Sequence, residues 1–192
     1  MRIGVLALQG AFVEHIQILK DLGVETVEVR LPEHLEGLDA LIIPGGESTT
    51  IGKLAVEYGL LEPMRRLAVN KPVWGTCAGM IFMAKDIGEE QPLLGIMDIV
   101  VERNAFGRQV DSFVTEIFVP VLARGEMEPF PAVFIRGPKL VEAKEAEGAT
   151  VIARLDDGTA VAAQQGRFLV TAFHPELTAD SRFHQYFITL VK

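Results

Sequence analysis

The chain carries a single cysteine, Cys77, set in the run Gly75-Thr76-Cys77-Ala78-Gly79. A thiol works as a nucleophile when a base takes its proton and a third group orients the base. G-x-C-x-G is the thiol form of the nucleophile elbow, a sharp turn from strand into helix. Such a turn crowds backbone against the positions two before and two after the nucleophile, where a Cβ would clash. The nucleophile itself is held in a strained conformation. Residues 72–74 read as the strand and residues 78–85 as the helix, so both contexts are met. The start of a helix also favours thiolate, through its unpaired N–H groups and dipole. Alone, a free cysteine is most often a small buried hydrophobe; the glycines and the strand-to-helix setting favour the nucleophile.

Four histidines are available as a base. His15 and His184 fall in helical segments and read as surface or packing residues. His34 lies in the polar run Pro32-Glu33-His34-Leu35-Glu36 and reads as solvated. His174 differs, because it ends an apolar strand at 168–173 and opens His174-Pro175-Glu176. Ligands of open α/β sheets bind beyond the carboxyl ends of strands, and Cys77 and His174 both stand just past such an end. Glu176 follows across a proline that fixes one backbone angle, a spacing that lets its carboxylate turn back to the imidazole. The plainer reading of the same residues is a strand-end turn with solvated side chains.

A third element, Pro44-Gly45-Gly46-Glu47-Ser48-Thr49-Thr50, also follows a strand and precedes a helix. Its glycines let backbone N–H groups approach a ligand closely. Together with the N–H of Ala78 such a loop builds an oxyanion hole. The plainer reading is a glycine turn before a helix capped by Ser48 or Thr49. A phosphate site is a weak option, since the Lys-Ser/Thr ending of a phosphate loop is missing.

The elements that must position these groups follow from hydrophobic patterning. Residues 2–8, 25–30, 40–43 and 72–75 read as short apolar strands, separated by helices at 12–22, 49–57 and 60–69. Strands that are apolar throughout are those of a buried parallel sheet. After the Cys77 helix, strands are expected at 99–103, 113–121, 132–135, 151–155, 160–164 and 168–172, with Asp157-Gly158 as a hairpin turn. A helix at 181–190 closes the chain. The expected fold is α/β, a mainly parallel sheet flanked by helices with added antiparallel strands, in one domain over residues 1–192.

The chain has 192 residues, of which 49% are hydrophobic, enough for a sizeable core. Its net charge of −8 opposes a nucleic-acid backbone. No apolar run reaches the roughly 18 residues of a membrane span. The N-terminal run ends at Gln9, too early for a secretory leader, and one cysteine makes no internal disulfide. The expectation is a cytoplasmic protein without nucleic-acid or membrane partners.

The loop, the elbow and the His-Pro-Glu, in this order, resemble the class I (triad) glutamine amidotransferases, with flavodoxin-like architecture. Within that family the likeness is greatest to the glutaminase subunits of pyridoxal 5′-phosphate synthase. The closer likeness rests on Gly4 to Gly10 with Glu14-His15, on residues 44–50 and 75–79, and on 101–109 (VERNAFGRQ). Val133-Phe134-Ile135-Arg136 and residues 173–178 complete it. The resemblance spans essentially the whole chain. It implies that Cys77 attacks the carboxamide of L-glutamine, that His174 moves the protons, and that Glu176 orients His174. It implies an oxyanion hole from Gly46 and Ala78, and substrate contacts at Gly46, Glu47, Ser48, Arg103, Ile135 and Arg136. Read without the family, Arg103 and Arg136 would be surface ion pairs. With it, either guanidinium suits a substrate carboxylate. No metal and no cofactor are implied. The implied partner is a (β/α)8-barrel synthase subunit that takes the ammonia, and docking is expected to complete the oxyanion hole. Two other readings compete: a glutaminase serving a different synthase, and a redox-sensing protein of the same fold. The second has no need of His174-Pro175-Glu176.

Overall fold

A computed structural model describes residues 1–103, 112–123 and 128–191. The first half alternates strand and helix. β1 (Arg2–Leu6), α1 (Phe12–Asp21), β2 (Glu25–Val29), β3 (Ala40–Ile43), α2 (Ser48–Glu57), α3 (Leu61–Ala68), β4 (Val73–Thr76) and α4 (Ala78–Met83) follow in turn. The second half is strand-rich. It contains β5 (Ala84–Asp86), β6 (Met97–Glu102), β7 (Ser112–Ile117), β8 (Phe130–Ile135), β9 (Lys139–Ala143), β10 (Ala149–Arg154), β11 (Ala160–Gln165), β12 (Phe168–Thr171) and α5 (Arg182–Leu190).

The main sheet runs β2-β1-β3-β4-β12-β11-β9-β6-β5, with β10 paired to β11; β7 and β8 form a separate pair. From β2 to β12 every pairing is parallel. β3 and β4 are buried at every position, which explains their unbroken apolar sequences. Beyond β12 the sheet turns antiparallel through β11, β9 and β6. The antiparallel addition is therefore larger than the sequence indicates. β9 escapes patterning because only Leu140 of its five residues is buried, so no alternation is written into it.

Other boundaries moved for identifiable reasons. α4 stops at Met83 because Ala84 enters the pairing of β5 with β6. The strand expected at 113–121 ends at Ile117, and Pro120 opens a 3-10 turn. The Asp157-Gly158 turn joins the antiparallel β10 and β11 as expected, with Gly158 at φ +85°. Among the described residues no helix is long and apolar enough to cross a membrane.

The parallel order matters for function. β4 lies between β3 and β12, so three loops leave the sheet side by side at the same carboxyl edge. β1 lies on the far side of β3, and its own exit loop carries Gln9. On the face beneath, Trp74 of β4 packs with Phe183 and Phe187 of α5, and Phe173 packs with Phe130, Phe134 and Phe183. This aromatic mass fixes the ends of β4 and β12 against each other.

Candidate active site

Cys77 sits between β4 and α4 with φ 50° and ψ −106°, a conformation that side chains other than glycine rarely adopt. Its backbone N–H donates to Thr171 O at 2.8 Å, tying the elbow to the end of β12. The neighbouring glycines are needed as clearance. A Cβ on Gly75 would lie 2.5 Å from Gly79 O, and one on Gly79 would overlap the carbonyl of Ile43. The elbow is thus wedged between β3 and its own helix, as the sequence motif implies.

His174 leaves β12 on the other side. Its backbone N–H donates to Val133 O of β8 at 2.8 Å, and its Nδ1 lies 2.7 Å from Glu176 Oε1. Glu176 is buried behind it in a 3-10 turn started by Pro175. Burial alone would lower the pKa of His174. Hydrogen bonds to Cys77 and Glu176, with the attraction of both, overcome this and raise it to about 10. The imidazole is therefore held ready to carry a proton beside the sulfur.

The third loop closes over these groups. Gly45 approaches so tightly that a Cβ there would strike the imidazole of His174 and lie 3.3 Å from Cys77 Cβ. The loop is pinned from the β1 exit, where Ala11 N–H donates to Gly45 O at 3.1 Å and Glu47 N–H donates to Gln9 Oε1 at 2.7 Å. Because the peptide is trans, the Gly46 N–H points away from the side on which Gly45 O is held. Ala78 stands at the first position of α4, where the N–H has no intrahelical acceptor.

A cavity of about 390 Å³ opens over this arrangement, within the range of small-molecule sites. Its lining contains Gly46, Glu47, Ser48, Cys77, Ala78, Arg103, Ile135, Arg136 and His174. Every candidate residue from the sequence is therefore in the wall except Glu176, which stands behind His174. Gln9, Ile81 and Pro138 complete the lining; Gln9 belongs to the Gly4 to Gly10 segment of the resemblance, which assigns it no role at the site. Ser48 contributes a buried hydroxyl with no hydrogen-bond partner among the described residues. Ile135 O lies 3.9 Å from Cys77 Sγ. Residues 104–109 of the ERNAFGRQ segment lie outside the described residues.

The structure decides between three pairs of readings. α2 is capped by Glu47, whose carboxylate accepts from the N–H groups of Thr49 and Thr50, and not by Ser48 or Thr49. These bonds outweigh the opposing effect of burial and lower the Glu47 pKa. Arg103 is already engaged, with Nη2 3.1 Å from Glu47 Oε1 and Nη1 3.1 Å from both Glu89 Oε2 and Gln91 Oε1. Arg136, at φ 44°, makes no ion pair among the described residues. Lastly, of the surface and packing readings of His15 and His184 the packing one holds, since both are fully buried against Trp74, and His15 Nε2 also lies 3.5 Å from Glu176 Oε2. Helical spacing could not reveal this, because the imidazoles meet across residues far apart in sequence.

Comparison with known proteins agrees with this geometry. Residues 5–192 match the model of the SNO glutamine amidotransferase family. A pyridoxal 5′-phosphate synthase subunit PdxT from Herpetosiphon aurantiacus is 59% identical over 99% of this chain and 100% of its own length. The protein of the same name from Moorella thermoacetica is 58% identical over 100% of both chains. A crystal structure of a glutamine amidotransferase superposes with a TM-score of 0.91 at 51% identity, covering 98% of each chain. The chain belongs to the SNO glutamine amidotransferase family.

Proposed function

We propose that this chain is the glutaminase subunit of a pyridoxal 5′-phosphate synthase, hydrolysing L-glutamine to L-glutamate and ammonia. The observation that carries the reading is the meeting of Cys77 and His174 at one cavity, from neighbouring strand ends, with Glu176 buried behind His174 and 2.7 Å from its Nδ1.

Cys77 Sγ attacks the side-chain carboxamide carbon after its proton passes to His174. The negative oxygen of the tetrahedral intermediate is received by the N–H groups of Gly46 and Ala78, where such donors are worth most. His174 then gives its proton to the departing nitrogen, releasing ammonia and leaving a γ-glutamyl thioester. Water attacks the thioester with His174 as base, and glutamate leaves with the thiol restored. Glu176 holds the imidazole in one tautomer and balances its charge throughout.

Of the two arginines at the cavity, Arg136 is the better partner for the substrate α-carboxylate, since the guanidinium of Arg103 is already shared between Glu47 and Glu89. Glu47 lines the cavity but its carboxylate is already taken by Thr49, Thr50 and Arg103, so the α-ammonium would have to share it, while the Ser48 hydroxyl, without a partner among the described residues, supplies a further polar contact. The relatives named above are subunits of a synthase by name. The partner proposed here is accordingly a (β/α)8-barrel subunit that receives the ammonia before water protonates it, in the cytoplasm. Docking against the site's rim would adjust the loop that Gln9 and Ala11 now pin.

The test is ammonia release from glutamine by the purified chain, with and without the barrel subunit, beside Cys77→Ala. Release that rises with the partner and is abolished in the variant is the expected result. Equal release in both states would remove the coupling. No release in any mixture would remove the glutaminase.

A further inference from the structure

Behind the site lies a buried pair of histidines that the mechanism above does not use. His15 of α1 and His184 of α5 are both fully buried, and His15 Nδ1 lies 2.9 Å from His184 Nε2. The other nitrogen of His15, Nε2, faces Thr76 Oγ1 at 3.4 Å and Glu176 Oε2 at 3.5 Å. Trp74 closes the pocket, with its ring edge-on to both imidazoles. Among the described residues, Glu176 Oε2 and His184 Nδ1 have no hydrogen-bond partner.

Satisfaction of these groups selects one proton arrangement. One of the two facing nitrogens must donate and the other accept. If His15 donates through Nδ1, its Nε2 is bare and Glu176 Oε2 is left facing a lone pair. His184 would then hold its proton on Nδ1, as a buried N–H without an acceptor. Orphaned N–H groups of that kind are rare and unfavourable. If His184 donates through Nε2 instead, His15 carries its proton on Nε2, pointing at Glu176 Oε2 and Thr76 Oγ1 as a long three-centre contact. His184 Nδ1 is then merely an unused acceptor. The groups facing His15 are His184 on α5, Thr76 and Trp74 on β4, and Glu176 and His174 after β12. Among these only Glu176 is anionic, so it is the natural recipient.

We propose that His15, backed by His184, is a positioning residue: its Nε2–H anchors Glu176 Oε2 so that Oε1 stays aimed at His174 Nδ1. Burial and the neighbouring imidazoles push the His15 pKa well below its ordinary value, and burial lowers that of His184 to about 3. The pair therefore serves as a neutral donor chain and adds no second charge beside His174. The inference rests on the glutaminase reading for its kinetic consequences but not for its proton assignment.

The assignment is tested first on the wild-type chain by long-range ¹H–¹⁵N correlation of the histidine rings. Nε2–H tautomers at both His15 and His184 are expected. A bare Nε2 on His15 overturns the proposal, whatever the protein's activity. Kinetics then test the consequence, in the complex with the barrel subunit. His15→Leu fills the space without a donor, and its kcat for glutamine should fall roughly 10- to 100-fold, as on removal of outer groups that hold a reacting ligand, with KM within about twofold. His15→Gln restores an amide donor and should recover most of kcat. A His15→Leu enzyme with unchanged kcat, or a His15→Gln enzyme as slow as His15→Leu at equal thermal stability, overturns the positioning role. An inactive wild type would instead remove the glutaminase reading and leave the ring spectra to decide the tautomers.

Discussion

Gly79→Ala tests the steric logic of the elbow most directly. A Cβ at this position would overlap Ile43 O and lie 2.9 Å from Ile43 C. Ile43 is the last residue of β3, fully buried and paired in register with Gly75, so it has nowhere to retreat. Overpacking of a tight site costs about 1–3 kcal/mol, and contact with fixed backbone belongs at the upper end. Alanine recovers about 1 kcal/mol of helix propensity over glycine. The net loss is then about 2 kcal/mol, or a fall of about 4–8 °C in Tm for a chain of this size. Because β3 also carries the Gly46 loop, its displacement should lower kcat as well, by about 100-fold for a shift near 1 Å. Gly148→Ala is the control. Gly148 has φ +84° with nothing within 4 Å of the added Cβ, so only local strain of about 1–2 kcal/mol is expected. That variant should lose stability while keeping kcat, measured by thermal unfolding and ammonia release in the reconstituted complex. A Gly79→Ala protein with unchanged Tm and kcat within twofold of wild type would refute the clearance argument.

Two further expectations concern charge. Arg136→Leu should raise KM for glutamine by about 10- to 100-fold, the loss of a charge-assisted bond, whereas Arg103→Leu should raise it less because that guanidinium already serves Glu47 and Glu89; steady-state kinetics showing the reverse order would reassign the carboxylate. His174, with its pKa raised to about 10, should show no inflection between pH 5 and 8 in an NMR titration of its ring, and Cys77→Ala should move the inflection down. The sign for stability follows from a folded pKa above the unfolded value of about 6.5: the contribution of His174 is complete below that pH and is lost as pH rises through about 10. An inflection near pH 6.5 in both proteins would mean that neither Cys77 nor Glu176 holds the proton.

Much of the site was readable from sequence because its parts obey local rules. Gly75 and Gly79 announce a turn that only small residues permit, and Pro44-Gly45-Gly46 and His174-Pro175-Glu176 mark the ends of fully apolar strands. Parallel strands of this kind place such ends on one edge, so the meeting of three loops follows from the pattern alone. What stayed hidden depends on contacts between distant residues. Gln9 acts through its carboxamide on Glu47 N–H, thirty-eight positions away, a contact that local sequence around either residue does not reveal. Glu47 rather than Ser48 caps α2 because its longer side chain reaches back to Thr49 and Thr50 while Ser48 is turned inward and buried. β9 lacks a pattern because its neighbours β11 and β6, not its own apolar residues, hold it in the sheet.

The histidines show why residue type alone cannot assign chemistry here. His15, His174 and His184 are all buried, and burial by itself pushes each toward the neutral form. Only His174 escapes, because it touches both the thiol and the carboxylate, and each stabilises its charged form. His15 lies 3.5 Å from the same carboxylate, against 2.7 Å for His174, and has no thiol beside it, and its neighbours are imidazoles that repel a second proton. One carboxylate thus meets two histidines at different distances, and their other neighbours complete the division of roles. Separating the pKa values of neighbouring titratable groups is how a site keeps one proton mobile and the rest fixed. For this chain the mobile proton belongs between His174 and Cys77, and the 2.7 Å contact of Glu176 with His174 Nδ1, against 3.5 Å to His15 Nε2, is what favours the charge on the ring beside the sulfur.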